Sequence, residues 1–226
     1  MKLKQVDSLH QLSAFHWCSQ RSACWMAVSL PRPVSAIRLD GGRLAIDFAN
    51  TIHDRFAPDV EDYIATPERY MEWARRSGAI AAEETLDLSR LGGEGERLMA
   101  DVRSLRDATY RLLSAYIDEA ALPEGPLLVA NQRLLCARQS QELDENGLLR
   151  LRANPEDFHL PLKRIALDLV DVLADARAGK FTLKRCANQS SCGWIFADTS
   201  KNGRRRWCAM QTCGTASKTE ARRNRS

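Results

Sequence analysis

The chain has 226 residues, 44% of them hydrophobic, and a formal net charge of +4. That length allows one or two domains with cores of their own, and no apolar run approaches the roughly 18 residues that mark a membrane-spanning helix. The seven cysteines (Cys18, Cys24, Cys136, Cys186, Cys192, Cys208 and Cys213) are odd in number and accompany no export signal, which argues against a disulfide framework and for reduced thiols in a cytoplasm.

Residues 1–37 read as a poorly patterned N-terminal extension. The would-be apolar core of a signal peptide is broken by His16, Gln20 and Arg21, so a secretory leader is not expected. Cys18 and Cys24 have no second pair nearby and count as a chance spacing.

Residues 38–179 read as a mainly helical domain. Gly41-Gly42 is a turn, and Leu44 to His53 a short apolar helix or strand. In "ATPERYMEWARRSG", Thr66 can cap a helix, Pro67 suits its first turn, Glu68 favours the positive dipole end and Gly78 ends it. "AAEETLDLSRL" predicts a second, shorter helix. From about Glu94 to Ala120 the residues Leu98, Val102, Leu105, Thr109, Leu112 and Tyr116 follow spacings of four and three, one apolar stripe on a long helix. Pro123 and Pro126 separate it from a helix over about 127–139, on which Cys136 reads as an ordinary core thiol. Asn146-Gly147 signals a hairpin turn, and Leu162, Ile165, Ala166, Leu169, Val172, Leu173 and Ala176 line a last helix stopped by Gly179.

Residues 180–226 hold "CANQSSCGWIFADTSKNGRRRWCAMQTC". Five residues separate Cys186 from Cys192, four separate Cys208 from Cys213, and fifteen lie between the pairs. Each pair can close a short loop on one ion, and four thiolates suit a tetrahedral zinc. The four histidines, His10, His16, His53 and His159, are distant in sequence, so a closed, structural site is expected rather than a catalytic one. "WIFAD" reads as one strand, "TSKNG" as a turn, "RRRW" as the returning strand, and the residues after Cys208 as a helix: a treble-clef-like zinc finger of β-hairpin plus helix. So short a segment has few aliphatic residues and needs the metal to hold a shape, with Trp194, Phe196 and Trp207 as its small core.

This segment carries eleven Lys and Arg against Asp198 and Glu220, a surplus of nine positive charges, while the rest of the chain is net acidic. A polyanion partner for the finger follows. The candidate nucleic-acid contacts are Lys201, Arg204, Arg205 and Arg206 in the hairpin and Lys218, Arg222 and Arg223 in the helix. DNA is the favoured partner; the alternative is a zinc-ribbon adaptor that binds protein or RNA. On a strand, Arg204 and Arg206 would face one way and Arg205 the other. The helical domain is then the input half, holding a small ligand or forming a homodimer. Within "AIDFANT", Asp47, Asn50 and Thr51 are polar residues in an apolar run. They read either as turn caps and buried hydrogen bonds or as the lining of a ligand pocket with Asn131 and Arg133. No nucleophile elbow, P-loop, dinucleotide fingerprint or zinc-protease motif occurs, so an enzyme is not expected.

With these residues in view, the chain resembles the bacterial CGNR zinc-finger proteins, whose helical half is the ABATE domain. "GGRLAIDFANT" is similar to that domain's opening motif, and "CGWIFADTSKNGRRRWCAMQTCG" to the finger. The resemblance implies a stress-induced transcription regulator. Two features depart from it. The first cysteine pair encloses five residues instead of four, and the signature Cys-Gly-Asn-Arg reads Cys213-Gly214-Thr215-Ala216 here. If the family's Arg contacts phosphate, its loss weakens nucleic-acid binding; if it braces the finger, its loss weakens the fold.

Overall fold

The computed structural model describes residues 32–223 except 54, 56–59, 153 and 189–191, and of residues 53, 220 and 221 the backbone alone. The extension before residue 32, with Cys18 and Cys24, lies outside the described residues. The described part belongs to one compact unit. Val34 and Ile37, in and after a 3-10 turn over Val34–Ala36, are already buried in its core.

The helices are α1 (Leu44–Ala49), α2 (Pro67–Arg76), α3 (Gly95–Ile117), α4 (Glu124–Gln139), α5 (Leu160–Arg177) and α6 (Thr215–Arg223). Among the described residues three two-stranded antiparallel sheets accompany them: β1 (Ile52–His53) with β2 (Glu61–Asp62), β3 (Gln141–Leu143) with β4 (Leu149–Leu151), and β5 (Thr182–Arg185) with β6 (Ile195–Asp198). The predicted stripes are the buried ones. Leu98, Val102, Leu105, Thr109 and Leu112 of α3 meet Leu162, Ile165, Ala166, Leu169 and Val172 of α5 in one core, which α1 enters with Ile46 and Phe48. Phe48 packs on Trp73 of α2 with ring centroids 5.5 Å apart. The predicted cap of α2 is present: Thr66 accepts a long bond from the Arg69 amide at 3.4 Å. Buried Arg106 of α3 holds Asp62 through two bonds of 2.7 and 2.6 Å and thereby pins β2 to the core.

Three expectations need correction. Residues 81–91 form no second helix; they hold a single 3-10 turn, Leu88–Arg90. Asp87 accepts from the Ser89 amide at 3.0 Å, one of the local side-chain bonds that compete with helix. Cys136 is exposed; it lies on the wall of an open cavity between α3, α4 and α5 and is not packed in the core. Finally, "WIFAD" does not pair with "RRRW". Its partner is the upstream segment Thr182–Arg185, in the register Arg185↔Ile195 and Thr182↔Asp198, and residues 204–206 form no strand. The expected β3–β4 hairpin does form, with Gly147 at φ 76° and with Asp144 accepting from the amides of Asn146 (2.9 Å) and Leu148 (2.8 Å).

Candidate metal centre

The β5–β6 hairpin places the first cysteine pair in its connecting loop. Cys186 directly follows β5, and its amide donates to the Trp194 carbonyl at 2.7 Å, closing the loop at its base. The Cys192 amide donates to the Asn188 carbonyl at 3.0 Å. The second pair arrives from the other side. Cys208 ends the loop after β6, and Cys213 lies in a single π-helical turn, Met210–Gly214, that leads into α6. The Ala187 amide donates to the Arg206 carbonyl at 2.8 Å and ties the two approaches together.

The four sulfurs lie within 4.8 Å of one another. Cys208 Sγ is 3.6 Å from both Cys192 Sγ and Cys213 Sγ. A disulfide would need about 2.05 Å, so these are separate thiols. Zinc–thiolate bonds of about 2.3 Å directed at tetrahedral corners put sulfurs about 3.8 Å apart, close to the observed spacing. Hydrogen bonding with Cys192 draws the Cys186 thiol below the ordinary thiol range, while Cys186 pushes Cys192 above it. Four sulfurs this crowded can all be thiolates only around a divalent ion. Among the described residues the donor set is four cysteine sulfurs, with no histidine or carboxylate in the cluster, the composition of a closed structural zinc site.

The loop from β6 to Cys208 is organised by Asp198, which sequence reasoning passed over, and by Arg205, which it took for a nucleic-acid contact. The Asp198 carboxylate, buried, accepts from Lys184 Nζ (2.7 Å), the Ser200 amide (3.0 Å) and hydroxyl (2.6 Å), and the Arg205 amide (3.1 Å). Burial raises its pKa, but Lys184 and Ser200 outweigh that and hold it well below the usual carboxylate range. Arg205 lies over the Phe196 ring, 4.3 Å from its centroid. It donates to the carbonyls of Trp207 and Asp40, both at 3.1 Å, and to that of Cys208. The Asp-Thr-Ser sequence at 198–200 was the available signal for the first, a short polar run that favours side-chain-capped turns; for Arg205 the signal was its place between Arg204 and Arg206, which turns it the other way.

The finger is bound to the helical part along β6 and its preceding turn. Asn50, at the end of α1, donates to the Ile195 carbonyl at 2.8 Å and accepts from the Ile195 amide at 2.9 Å. Trp194 Nε1 donates to the Ile52 carbonyl at 2.8 Å, and the Tyr110 hydroxyl to the Gly193 carbonyl at 3.0 Å. The Ala197 amide donates to the Gly41 carbonyl at 2.9 Å. Arg185 pairs with Asp118 through contacts of 3.2 and 2.9 Å. Trp194, Ile195, Phe196 and Ala197 therefore lie in the same core cluster as α1 and α3. Gly41 leaves no room for a side chain unless its neighbours shift: a Cβ would lie 2.7 Å from Ile46 Cγ2 and 2.8 Å from Asp47 Oδ1.

These contacts locate the residues considered as ligand contacts. Asp47 accepts from the Gly41 amide at 2.8 Å; burial pushes its pKa up to about 7. Asn50 faces β6. Thr51 donates to the Phe48 carbonyl at 2.8 Å and accepts from Arg106 at 3.2 Å. All three are buried, in bonds between protein groups. Asn131 is exposed on α4. Arg133 pairs with Asp101 and lines a separate cavity of about 510 Å³ between α3, α4 and α5, together with His159 and Lys163. The five residues do not converge. Of the nucleic-acid candidates, Lys201, Arg204 and Arg206 are exposed on the loop after β6, and Lys218, Arg222 and Arg223 on α6; Arg205 is half-buried. The alternation predicted for the three arginines holds without a strand.

A helical domain joined to a four-cysteine finger of zinc-binding geometry is the class that this fold and site define. The chain belongs to the ABATE family, described as "Putative stress-induced transcription regulator", which matches residues 42–176; residues 182–226 match the CGNR zinc finger. No curated protein matches the chain. Among the described residues no helix is long and apolar enough to cross a membrane.

Proposed function

We propose that this regulator binds DNA through the exposed basic residues of its finger. The observation that carries the reading is the sorting of cations around the metal centre. Arg205 is spent on the carbonyls of Asp40, Trp207 and Cys208, while Lys201, Arg204, Arg206, Lys218, Arg222 and Arg223 are exposed at the surface. Lys218 and Arg222 are one helical turn apart and share a face of α6. Contacts with phosphate would supply the affinity, and any arginine reaching a base edge the sequence choice. Zinc has no catalytic part in this reading and the protein is not an enzyme; a reducing cytoplasm would keep its thiols available. The input is a small polar ligand in the cavity lined by Arg133, His159 and Lys163, rather than the "AIDFANT" residues, which join the finger to the helices.

The test is a titration of duplex DNA across salt, with the zinc-loaded chain. The expected slope of log affinity against log salt is about −0.9 for each phosphate neutralised. Lys218→Ala with Arg222→Ala should weaken binding to all sequences alike and flatten that slope. Zinc-loaded protein with no affinity for DNA but with affinity for RNA or protein would support the adaptor reading instead.

A further inference from the structure

The finger's signature is Cys-Gly-Asn-Arg, and the place of its arginine is taken by Ala216. The structure shows which way that position faces. Ala216 lies on the wall of an open cavity of about 450 Å³ between the finger and the segment before α1, together with Arg38, Asp40, Trp194, Thr212 and Cys213. Lys218 and Arg222 lie on another side of α6: at about 100° per residue they are roughly 160° and 120° around the helix from Ala216. A long side chain at 216 would be directed toward Asp40, away from the face that carries Lys218 and Arg222.

The cavity already holds a guanidinium, and it comes from the opposite wall. Arg38 Nε lies 2.7 Å from Asp40 Oδ2, and Arg38 Nη1 donates to Thr212 Oγ1 at 3.3 Å. Thr212 precedes Cys213 in the π-helical turn that leads into α6. Asp40 is itself fixed to the finger, since its carbonyl accepts from Arg205 at 3.1 Å. Arg38 thus joins an anchored carboxylate to the turn that carries the last sulfur. With nine residues, α6 is too short to be stable by itself. Trp207 holds it through Ser217 at 3.1 Å, and Arg38 acts on the turn just before it.

We infer that Arg38 is a positioning residue for α6, supplying from outside the finger the guanidinium that position 216 lacks. Bracing the finger, rather than touching phosphate, is the role that position 216 fits. Arg38 lies outside both matched ranges, 42–176 and 182–226, so the segment before the helical domain becomes part of the finger's working structure. The brace does not depend on what α6 binds; its consequence for DNA rests on the reading proposed above.

The experiment is hydrogen exchange on the zinc-loaded full chain without DNA. Arg38→Ala should speed exchange of the α6 amides about fivefold, the size of one charge-assisted hydrogen bond lost at a half-exposed site, and leave the Ile195 and Ala197 amides unchanged. Ala216→Arg placed in the Arg38→Ala chain should restore the protection. Ala216→Arg alone should add little, because two guanidiniums then compete for Asp40. Unchanged α6 exchange in Arg38→Ala, a loss that Ala216→Arg does not restore, or an equal gain from Ala216→Arg in both backgrounds overturns the proposal. In a parallel duplex titration Arg38→Ala should weaken binding and the second substitution should recover it. A chain with no DNA affinity in any form would sink the DNA-binding reading and leave the exchange result standing.

Discussion

The two halves of the finger are held in different ways. The β5–β6 half, with Cys186 and Cys192, is embedded: Trp194, Ile195, Phe196 and Ala197 are buried in the core of the helical domain, and Asn50, Gly41, Ile52 and Tyr110 bind its backbone or its Trp194 ring nitrogen. The half with Cys208, Cys213 and α6 is tethered. The described side chains of α6 are exposed apart from half-buried Ser217, which accepts from Trp207 Nε1 at 3.1 Å, and Arg38 reaches Thr212 at 3.3 Å. Burial holds the first half; the second is joined to it at Cys208 and Ala209, which share the core cluster, by the Ala187–Arg206 bond, and through the four sulfurs by the metal they would hold, while α6 itself stays outside the core. The segment is thus less dependent on zinc for its core than its composition suggests, and more dependent on zinc for the position of its basic helix.

The largest effect should follow from removing the metal, which in isolated fingers supplies about 10–16 kcal/mol of folding energy. In the full chain, a strong chelator or Cys213→Ser should abolish hydrogen-exchange protection in α6. The Ile195 and Ala197 amides, bonded to Asn50 and Gly41, should keep theirs. Uniform loss across both halves would break the comparison.

Next comes a pH effect at the embedded edge. Burial raises the Asp47 carboxyl from 3.8 to about 7, so between these values the folded chain holds a proton that the unfolded chain has released. Its stabilisation is complete below about pH 4 and is lost as pH rises through 7, up to about 4 kcal/mol. Asp47→Asn keeps an acceptor for the Gly41 amide and should remove this dependence, so the variant gains on the wild type in thermal midpoint from pH 5 to pH 8.

Asn50→Ala leaves both the amide and the carbonyl of Ile195 unpaired in the core and should cost about 3 kcal/mol in denaturant unfolding, while metal analysis still finds one zinc per chain. The smallest effects come from one substitution against the first half and one within the second. Gly41→Ala drives a Cβ into Ile46 and should cost about 2 kcal/mol. Gly214→Ala meets the end of the Met210 side chain at 2.5 Å, but that side chain is exposed and flexible, so the loss should stay under about 1 kcal/mol. Equal losses at the two glycines would say that the halves are equally embedded.

Much of this was legible from residue spacing. The stripes on α3 and α5, the Thr66 cap, the hairpin at Asn146-Gly147 and the four-sulfur cluster all depend on neighbours within a few turns or on cysteine chemistry. The β6 pairing was misread because "RRRW" is the nearer segment and carries alternating arginines; the ladder instead went to Thr182–Arg185, where Leu183 is buried beside β6. The exposure of Cys136, Leu128 and Leu135 on α4 was hidden because apolar spacing alone does not say how many sides of a helix its neighbours cover.

By itself the sequence determined the long helices, the ligand set and the charge asymmetry, since each follows from local periodicity, from the preference of zinc for thiolates, or from counting. Only the tertiary structure decided that Asn50 serves the finger's backbone, that Arg205 turns inward while its neighbours face out, and that half of the finger shares the helical core. Those outcomes rest on contacts between residues as many as 165 positions apart, where what matters is which unsatisfied groups meet once the core has closed, and no local pattern encodes that.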